Sequence, residues 1–269
     1  MTIGKALTIA GSDSGGGAGI QADLKTFQEL NVFGMSAITA VTAQNTLGVH
    51  GVYPLSVEAV VKQIEAIGTD LGADAVKTGM LFSSEIIQAV SECIIRFKWE
   101  NIVVDPVMIA KGGASLLQNE AIAALKKHLL PLAMVITPNI PEAEVLADMS
   151  IDTIDDRLEA AKRLHQLGAK HVVMKGGHGR EEELVDILYD GVEFTYFKGK
   201  RMVTKNTHGT GCTFAAAVTA ELAKGKSVKH AVETAKRFIQ AAIEDDLEIG
   251  SGHGPTNHWA YQKRQRGVK

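Results

Sequence analysis

NTHGTGCTFAAAV, residues 206–218, is a glycine-containing turn followed by a run of small residues with strong helix propensity. Gly209 and Gly211 flank Thr210, so backbone N–H groups can converge, unpaired, where the helix begins, and bind an anion. Cys212 falls on the first helical turn, where the helix dipole favours a thiolate, and we expect its pKa to lie below the ordinary value. The stretch predicts an anion cradle beside a candidate base. A steric turn with a small buried cysteine is the alternative.

The composition indicates a soluble globular protein. The chain has 269 residues, 45% hydrophobic and 22% charged, a size at which α/β folds often form one unit. A net charge of -3 disfavours nucleic acid and anionic lipid as partners. No apolar run reaches the roughly 18 residues of a membrane span, and no secretory signal is recognisable. With two cysteines and nine scattered histidines, we expect a reduced, cytoplasmic protein without a structural zinc site.

A second glycine-rich loop lies near the N-terminus. Residues 5–11 are typical of a strand, residues 12–19 form the loop SDSGGGAG, and a helical pattern follows over 20–30. The loop lacks the Gly-Lys-Ser/Thr of a Walker A motif and the third glycine of a dinucleotide fingerprint. Asp23 lies one turn inside the helix, either facing back towards the loop or solvated at the helix start.

Strands alternate with helices along the whole chain. This order predicts one α/β domain over residues 1–269, with a mostly parallel central sheet and helices on both faces. The predicted strands cover 5–11, 35–44, a segment near Val52, 73–80, 101–108, 134–139, 170–174 and a hairpin over 184–201; the predicted helices cover 20–30, a segment from Ser56 to Leu71, 84–97, 119–128, a segment from Pro141, 154–167, 210–224 and 227–248.

Six predicted strands end in residues suited to ligand contact. The carboxyl ends of parallel strands lie at one edge of a sheet, where open α/β folds bind ligands. We therefore expect these residues to lie together at the edge where residues 209–212 begin a helix: Gly11, Gln44, Met80, Asp105, Asn139 and Lys175.

Some of these positions allow two interpretations. Asn139 and Glu142 could hold hydrated magnesium, or Asn139 could cap a helix with Glu142 as its partner, which the local sequence favours. Residues 110–115 form a glycine-containing loop with one cation, either a lid or a linker. A cradle, metal-orienting acids, a lysine and a base together favour phosphoryl transfer.

The motifs resemble the hydroxymethylpyrimidine and phosphomethylpyrimidine kinases of thiamine synthesis, within the ribokinase-like superfamily. The resemblance covers nearly the whole chain in order, and Gly15 replaces the serine usual in that family. The matching motifs are AGSDS (10–14), GGAGIQAD (16–23), VTAQNT (41–46), KTGML (77–81), DPVM (105–108), TPN (137–139), PEA (141–143), MKGGH (174–178) and THGTGC (207–212).

The resemblance implies two successive ATP-dependent phosphorylations, of an aminopyrimidine alcohol and then of its monophosphate. Gly209, Thr210 and Gly211 would form the anion hole, and Cys212 would deprotonate the hydroxymethyl group. The other implied roles are substrate contacts for Gly11, Ala18, Asp23, Gln44, Met80 and Val107, nucleotide contacts for Asn139, Lys175 and Thr207, magnesium positioning for Glu142 and Asp105, and a lid containing Ala110, Lys111, Gly112 and Gly113. Related folds suggest a homodimer, and dependence on K⁺ stays open.

Two rival interpretations remain. Pyridoxal kinases of the same subgroup share the glycine loops and the thiol, but tend to carry a second cysteine in the lid, where this chain has Ala110. Gln44 offers a paired donor and acceptor to an aminopyrimidine, which favours the pyrimidine substrate. A non-catalytic pyrimidine or nucleotide sensor is the rival from another class, and it would not need a base, a lid and metal-positioning residues together.

Overall fold

The computed structural model describes residues 3–108, 119–177 and 183–267. Its centre is a nine-stranded sheet in the order β3-β2-β1-β4-β5-β6-β7-β8-β9. The strands are β1 (Lys5–Asp13), β2 (Phe33–Asn45), β3 (Gly48–Pro54), β4 (Ala75–Thr78), β5 (Ile102–Val104), β6 (Val135–Ile136), β7 (His171–Met174), β8 (Glu183–Tyr189) and β9 (Phe194–Lys200).

The six central strands, β2, β1, β4, β5, β6 and β7, run parallel. The sheet carries antiparallel strands at both edges: β3 pairs with β2, and the β8–β9 hairpin follows β7. The predicted α/β class with a mostly parallel sheet is confirmed. The carboxyl ends of the central strands consequently share one edge.

Helices cover both faces of this sheet. They are α1 (Gly19–Glu29), α2 (Val57–Asp70), α3 (Ser84–Arg96), α4 (Asn119–Ala124), α5 (Ile140–Ala147), α6 (Ile154–Gln166), α7 (Thr210–Ala223), α8 (Val228–Glu244) and α9 (Ala260–Gln265). Side chains of α2 to α6 pack with one set of strand residues, and those of α1, α7 and α8 pack with the alternating set. The central strands are apolar on both sides because each residue faces one of two helical layers.

Local sequence explains why several helices begin where they do. Ser56, Ser83 and Ser227 accept a hydrogen bond from the third residue of α2, α3 and α8, respectively. These caps satisfy N–H groups that have no partner inside the helix. α7 differs, because its cap is Gly209 and its first N–H groups receive no side-chain cap.

Several elements of the structure have bounds that differ from the sequence-based ones. The predicted strands 73–80 and 101–108 shorten to β4 and β5, since the residues beyond their ends leave the ladder to line the site described below. The predicted helix 119–128 becomes α4, a π-helical turn over Leu125–Leu129 and a 3-10 turn over Leu130–Leu132. Pro131 lacks a backbone N–H, which ends regular helical pairing there.

Candidate active site

A cavity of about 710 Å³ opens at the carboxyl edge of the parallel strands. The end of β2 and the segments after β1, β4, β5, β6 and β7 contribute to its walls, and the N-terminus of α7 supplies part of its floor. Of the predicted site residues within the described part of the chain, all but Asp23 line this cavity: Gly11, Ala18, Gln44, Met80, Asp105, Val107, Asn139, Glu142, Lys175, Thr207, Gly209, Thr210, Gly211 and Cys212.

The N-terminus of α7 has the backbone of an anion cradle. Gly209 adopts a φ of 82°, a conformation that L side chains avoid, and a Cβ there would collide with the carbonyl oxygen of Gly17. A Cβ on Gly211 would lie 3.3 Å from Lys175 Nζ. Glycine at 209 therefore permits the turn, while glycine at 211 leaves space between the helix N-terminus and a lysine ammonium.

Cys212 does not have the low pKa that its helix position predicts. Burial raises the pKa of this thiol to about 11, and the carboxylates of Asp105 and Asp23 raise it further. The Lys77 ammonium and a hydrogen bond donated by the Gly19 N–H act in the opposite direction without overcoming burial. The expectation of a lowered pKa was wrong because desolvation of the charged form outweighs one helix dipole.

Asp23 lies beneath the cavity rather than in its wall. It is 0% exposed, accepts a hydrogen bond from Thr8 Oγ1 at 2.6 Å and forms an ion pair with Lys77 Nζ at 2.9 Å. The implied role of Asp23 in contacting substrate therefore requires an intermediary residue. Lys77 itself lines the cavity. Burial lowers the pKa of Lys77, but the charges of Asp23, Cys212 and Asp105 raise it more. The pKa of Lys77 therefore lies above its ordinary value.

A second cluster of charged side chains, besides Asp23 and Lys77, lies around Asp105 at the end of β5. Lys175 Nζ lies 3.2 Å from Asp105 Oδ1, which Thr137 Oγ1 also approaches at 3.4 Å. Asn139 and Glu142 form the reciprocal capping box at the start of α5 that their spacing predicts. Burial raises the pKa of Glu142 to about 7, while Lys175 lowers it and Asp105 raises it.

These carboxylates fit a divalent cation. Asp105 Oδ2 is buried and has no hydrogen-bond partner, so its lone pairs are free to coordinate. Within the described residues no cluster of three histidine, cysteine or acidic side chains could hold a metal. Mg²⁺ is usually bound through one or two carboxylates together with water and substrate phosphates, so Asp105 and Glu142 suit it without a third protein ligand.

A polar network that the sequence analysis missed joins the first glycine-rich loop to the segment before α7. Asp13 accepts hydrogen bonds from the N–H groups of Gly15, Gly17 and Ala18 at 2.8–3.0 Å. His208 Nε2 lies 2.8 Å from Asp13 Oδ2. The two residues are 195 positions apart, and only their location beside the two glycine motifs could have suggested the contact.

Gln44 joins this network from the end of β2. Its side-chain Nε2 is placed 3.2 Å from His208 Nε2, and its Oε1 lies 3.1 Å from Thr42 Oγ1. Reciprocal hydrogen bonds with Ser14, each 2.8 Å long, fix the Gln44 backbone. The side-chain amide thus stands in the cavity wall on a rigid support. The predicted lid residues 110–113 lie outside the described residues.

The fold and this site define a small-molecule kinase of the ribokinase-like type. A family model described as phosphomethylpyrimidine kinase matches residues 13–257. The chain belongs to the phosphomethylpyrimidine kinase family.

No helix among the described residues is long and apolar enough to cross a membrane.

Individual relatives carry two kinds of name. A hydroxymethylpyrimidine/phosphomethylpyrimidine kinase of Bacillus subtilis is 59% identical over 264 residues, covering 98% of this chain and 97% of the relative. A pyridoxine kinase of the same organism is 48% identical over 270 residues, covering 99% of this chain and 100% of the relative. The structure of Staphylococcus aureus pyridoxal kinase with AMP-PCP and pyridoxal aligns with a TM-score of 0.91 at 41% identity, covering 98% of this chain and 96% of that one.

Proposed function

We propose that this kinase transfers phosphate from ATP to 4-amino-5-hydroxymethyl-2-methylpyrimidine and then to the resulting monophosphate, producing the diphosphate used in thiamine biosynthesis. The observation that carries the proposal is the meeting, in one cavity, of the Gly209–Gly211 cradle, Cys212 and the Gln44 amide. These features supply a phosphate site, a base and a donor–acceptor pair for an aminopyrimidine. The high identity to hydroxymethylpyrimidine/phosphomethylpyrimidine kinases supports this substrate.

The backbone N–H groups at the start of α7 would bind the transferred phosphoryl group. Such transfers proceed through a loose transition state, so positioning and charge neutralisation provide most of the rate acceleration. Lys175 lies 3.3 Å from the position of a Gly211 Cβ, close enough to neutralise charge beside the cradle. Asn139 and Thr207 would contact the nucleotide from neighbouring loops in the same wall.

Cys212 would accept the proton from the hydroxymethyl oxygen as that oxygen bonds to phosphorus. Because burial holds the pKa of the thiol at about 11, the sulfur is protonated at neutral pH in the protein alone. Cys212 can therefore act as the base only after its own proton has passed to solvent as the substrates enter the cavity. The Gly19 N–H and the Lys77 ammonium are the groups already placed to stabilise that thiolate.

Asp105 and Glu142 would hold Mg²⁺, which would neutralise charge on the phosphates of ATP. The unpartnered Oδ2 of Asp105 supports this assignment. Substrate contacts would come from Gly11, Ala18, Met80 and Val107 around Gln44, all of which line the cavity, and the 110–113 segment would serve as the lid. We further propose one domain over residues 1–269, a cytoplasmic location and a homodimer; dependence on K⁺ is to be measured.

Pyridoxal is a second candidate substrate because relatives named pyridoxine or pyridoxal kinase are 41–48% identical to this chain. Replacing Gln44 by alanine should reduce pyrimidine turnover more than pyridoxal turnover, since pyridoxal has no exocyclic amino group beside a ring nitrogen. Measuring kcat/KM for both substrates checks this prediction. Equal losses would count against the assignment of Gln44 to the pyrimidine.

The deciding experiment offers the purified protein ATP and Mg²⁺ with hydroxymethylpyrimidine or pyridoxal, and resolves the products by mass. The proposal expects a monophosphorylated and then a diphosphorylated pyrimidine, with slower or absent pyridoxal phosphate. Rapid pyridoxal phosphorylation without pyrimidine diphosphate would replace the proposed substrate with pyridoxal. Absence of both products, with ATP still bound, would support the sensor alternative.

A further inference from the structure

The contacts around the Gln44 side chain determine which way its amide points. Oxygen and nitrogen of a glutamine amide differ little in shape, so their assignment follows from the hydrogen-bond partners. Two neighbours decide it here: the imidazole of His208 on one side and the hydroxyl of Thr42 on the other.

On the side that faces His208, Gln44 must present its oxygen, which is an acceptor. Asp13 Oδ2 accepts from the Gly17 and Ala18 N–H groups at 3.0 and 2.8 Å, as an ionised carboxylate does. His208 Nε2, at 2.8 Å from the same oxygen, must therefore carry a proton and donate it. A glutamine NH₂ placed 3.2 Å from that N–H would set donor against donor, whereas Oε1 at this position would share the hydrogen with Asp13 as a second, weaker acceptor.

On the side that faces Thr42, Gln44 must present its NH₂ group as a donor, for a reason that does not depend on His208. Thr42 Oγ1 lies 2.9 Å from the Ser12 carbonyl oxygen and 3.1 Å from the Gln44 amide atom. A hydroxyl has one hydrogen, and the Ser12 carbonyl can only accept it. With Nε2 facing Thr42, the hydroxyl donates to Ser12 and accepts from Gln44, so every group is satisfied.

We infer that His208 and Thr42 hold the Gln44 amide with Oε1 towards His208 and Nε2 towards Thr42, which makes His208 a positioning residue for substrate selection. The part concerning selection rests on the proposed function. In this orientation one N–H and one oxygen lone pair of Gln44 are left for the ligand, at fixed places in the cavity wall. An aminopyrimidine, with a ring nitrogen beside an exocyclic amine, matches that pair in one orientation.

The orientation itself can be tested without catalysis. Nitrogen-15 NMR of the histidine rings in the full chain distinguishes the two tautomers, and the resonance lost in His208→Gln identifies His208. The inference expects a proton on Nε2, and a further change in the Gln44 side-chain amide resonances on Thr42→Val. A His208 ring protonated on Nδ1 alone would overturn the inference, whichever substrate the enzyme uses.

Selection is tested with His208→Leu, which removes the donor, and His208→Gln, whose terminal N–H can replace it. We expect His208→Leu to lower the ratio of kcat/KM for the pyrimidine over pyridoxal by roughly three- to tenfold, mainly through KM of the pyrimidine, as for one lost hydrogen bond. His208→Gln should restore most of the ratio. His253→Leu is the matched control, because exposed His253 contacts the Lys205 carbonyl and does not line the cavity.

The two parts of the inference fail separately. Equal losses for both substrates in His208→Leu, without rescue by glutamine, would reduce His208 to a structural support of the cradle. If the protein phosphorylates pyridoxal alone, the proposed function and the selection role fail together, while the NMR result still decides the orientation of Gln44.

Discussion

Cys212 is the residue whose chemistry the proposed mechanism most depends on. Replacing it by alanine should lower turnover by about 10²- to 10⁴-fold, because a general base is removed while the cradle and the pocket remain. Steady-state kinetics, with nucleotide binding measured in parallel, checks this prediction. Cys93→Ala is the matched control: Cys93 lies buried in α3, away from the cavity, so this change should affect stability alone. Full turnover by Cys212→Ala would exclude the thiol as base.

His258 gives the molecule a predictable response to pH. Burial lowers its pKa to about 4, and Lys25 contributes in the same direction. The neutral ring lies 3.0 Å from Thr213 Oγ1, in the first turn of α7. Between pH 4 and 6.5 the unfolded chain binds a proton that the folded protein excludes, so the stability contribution is present above about pH 6.5 and is lost as pH falls towards 4.

We therefore expect His258 to account for about 2 kcal/mol of the stability lost between pH 7 and pH 5. Urea denaturation of the protein and of His258→Gln at both pH values measures this difference. Glutamine does not titrate, so the variant should lose about that much less on acidification. An identical pH dependence in both proteins would show that the folded state binds the His258 proton as readily as the unfolded chain does.

At the scale of single residues, the sequence predicts positions better than it predicts environments. Fourteen of the predicted site residues line the cavity because strand ends and helix starts are local features. The pKa of Cys212 and the buried position of Asp23 depend instead on neighbours supplied by other elements, such as Lys77 on β4. The contact of His208 with Asp13 has no local signal either.

Helix α7 is the element that combines stability with the proposed chemistry. Gly211→Ala should stabilise the fold by up to about 1 kcal/mol, because alanine is the better helix former and only the end of the Lys175 side chain must move. The added methyl group would occupy space in the cradle, so turnover should fall by about 10²-fold or more. Thermal unfolding together with kinetics checks both halves of the prediction.

Gly225→Ala, just beyond the other end of the same helix, is the matched control. Gly225 has a φ of 72° and nothing within 4 Å of a Cβ, so alanine should cost about 1 kcal/mol through backbone strain and leave turnover unchanged. The two substitutions should change stability in opposite directions, and only Gly211→Ala should lower turnover. Together they separate an effect on helix stability from an effect on the geometry of the cradle. Unchanged turnover in Gly211→Ala would place the phosphate elsewhere.

At the scale of elements, hydrophobic periodicity and capping residues predict most of the architecture. Ser56 caps α2 at the position where the sequence places the start of a helix, and the predicted hairpin over 184–201 forms as β8 and β9. The π-helical turn over Leu125–Leu129 was not predicted, because its apolar residues fit a regular α-helix equally well. α9 gave no sequence-based prediction, and it packs against α8 through Tyr261 and Phe238.

At the scale of the whole molecule, a clasp of hydrogen bonds connects the cradle to the C-terminal segment. Asn206 donates to Asp246 and accepts from the Gly254 N–H at 3.0 Å. His208 donates from its N–H to the Gly254 carbonyl at 3.0 Å, and its own carbonyl accepts from Thr256 at 3.3 Å. The segment before α7 is therefore held by residues 40 or more positions further along the chain.

Asn206→Ala should open this clasp. The buried Gly254 N–H would lose its partner, so we expect a cost of about 1–3 kcal/mol in stability and a clear fall in turnover as the cradle loosens. Asn101→Ala removes an amide that donates to the Asp74 carbonyl at the surface, so it should cost about 1 kcal/mol or less and leave turnover intact. Denaturant unfolding and steady-state kinetics on both variants measure whether the clasp supports the cradle. A stable Asn206→Ala with full turnover would show that the clasp does not support the cradle.

The clasp also bears on the order in which the fold and the site form. A Cβ on Gly17 would lie 3.0 Å from Pro255 Cβ and in collision with the ring of His208, so the first glycine-rich loop is completed by a segment distant in sequence. Closing a contact between segments so far apart in the chain costs more conformational entropy than closing a local one. We therefore expect the sheet to form before residues 254–258 dock, and the site to be complete only once they have docked.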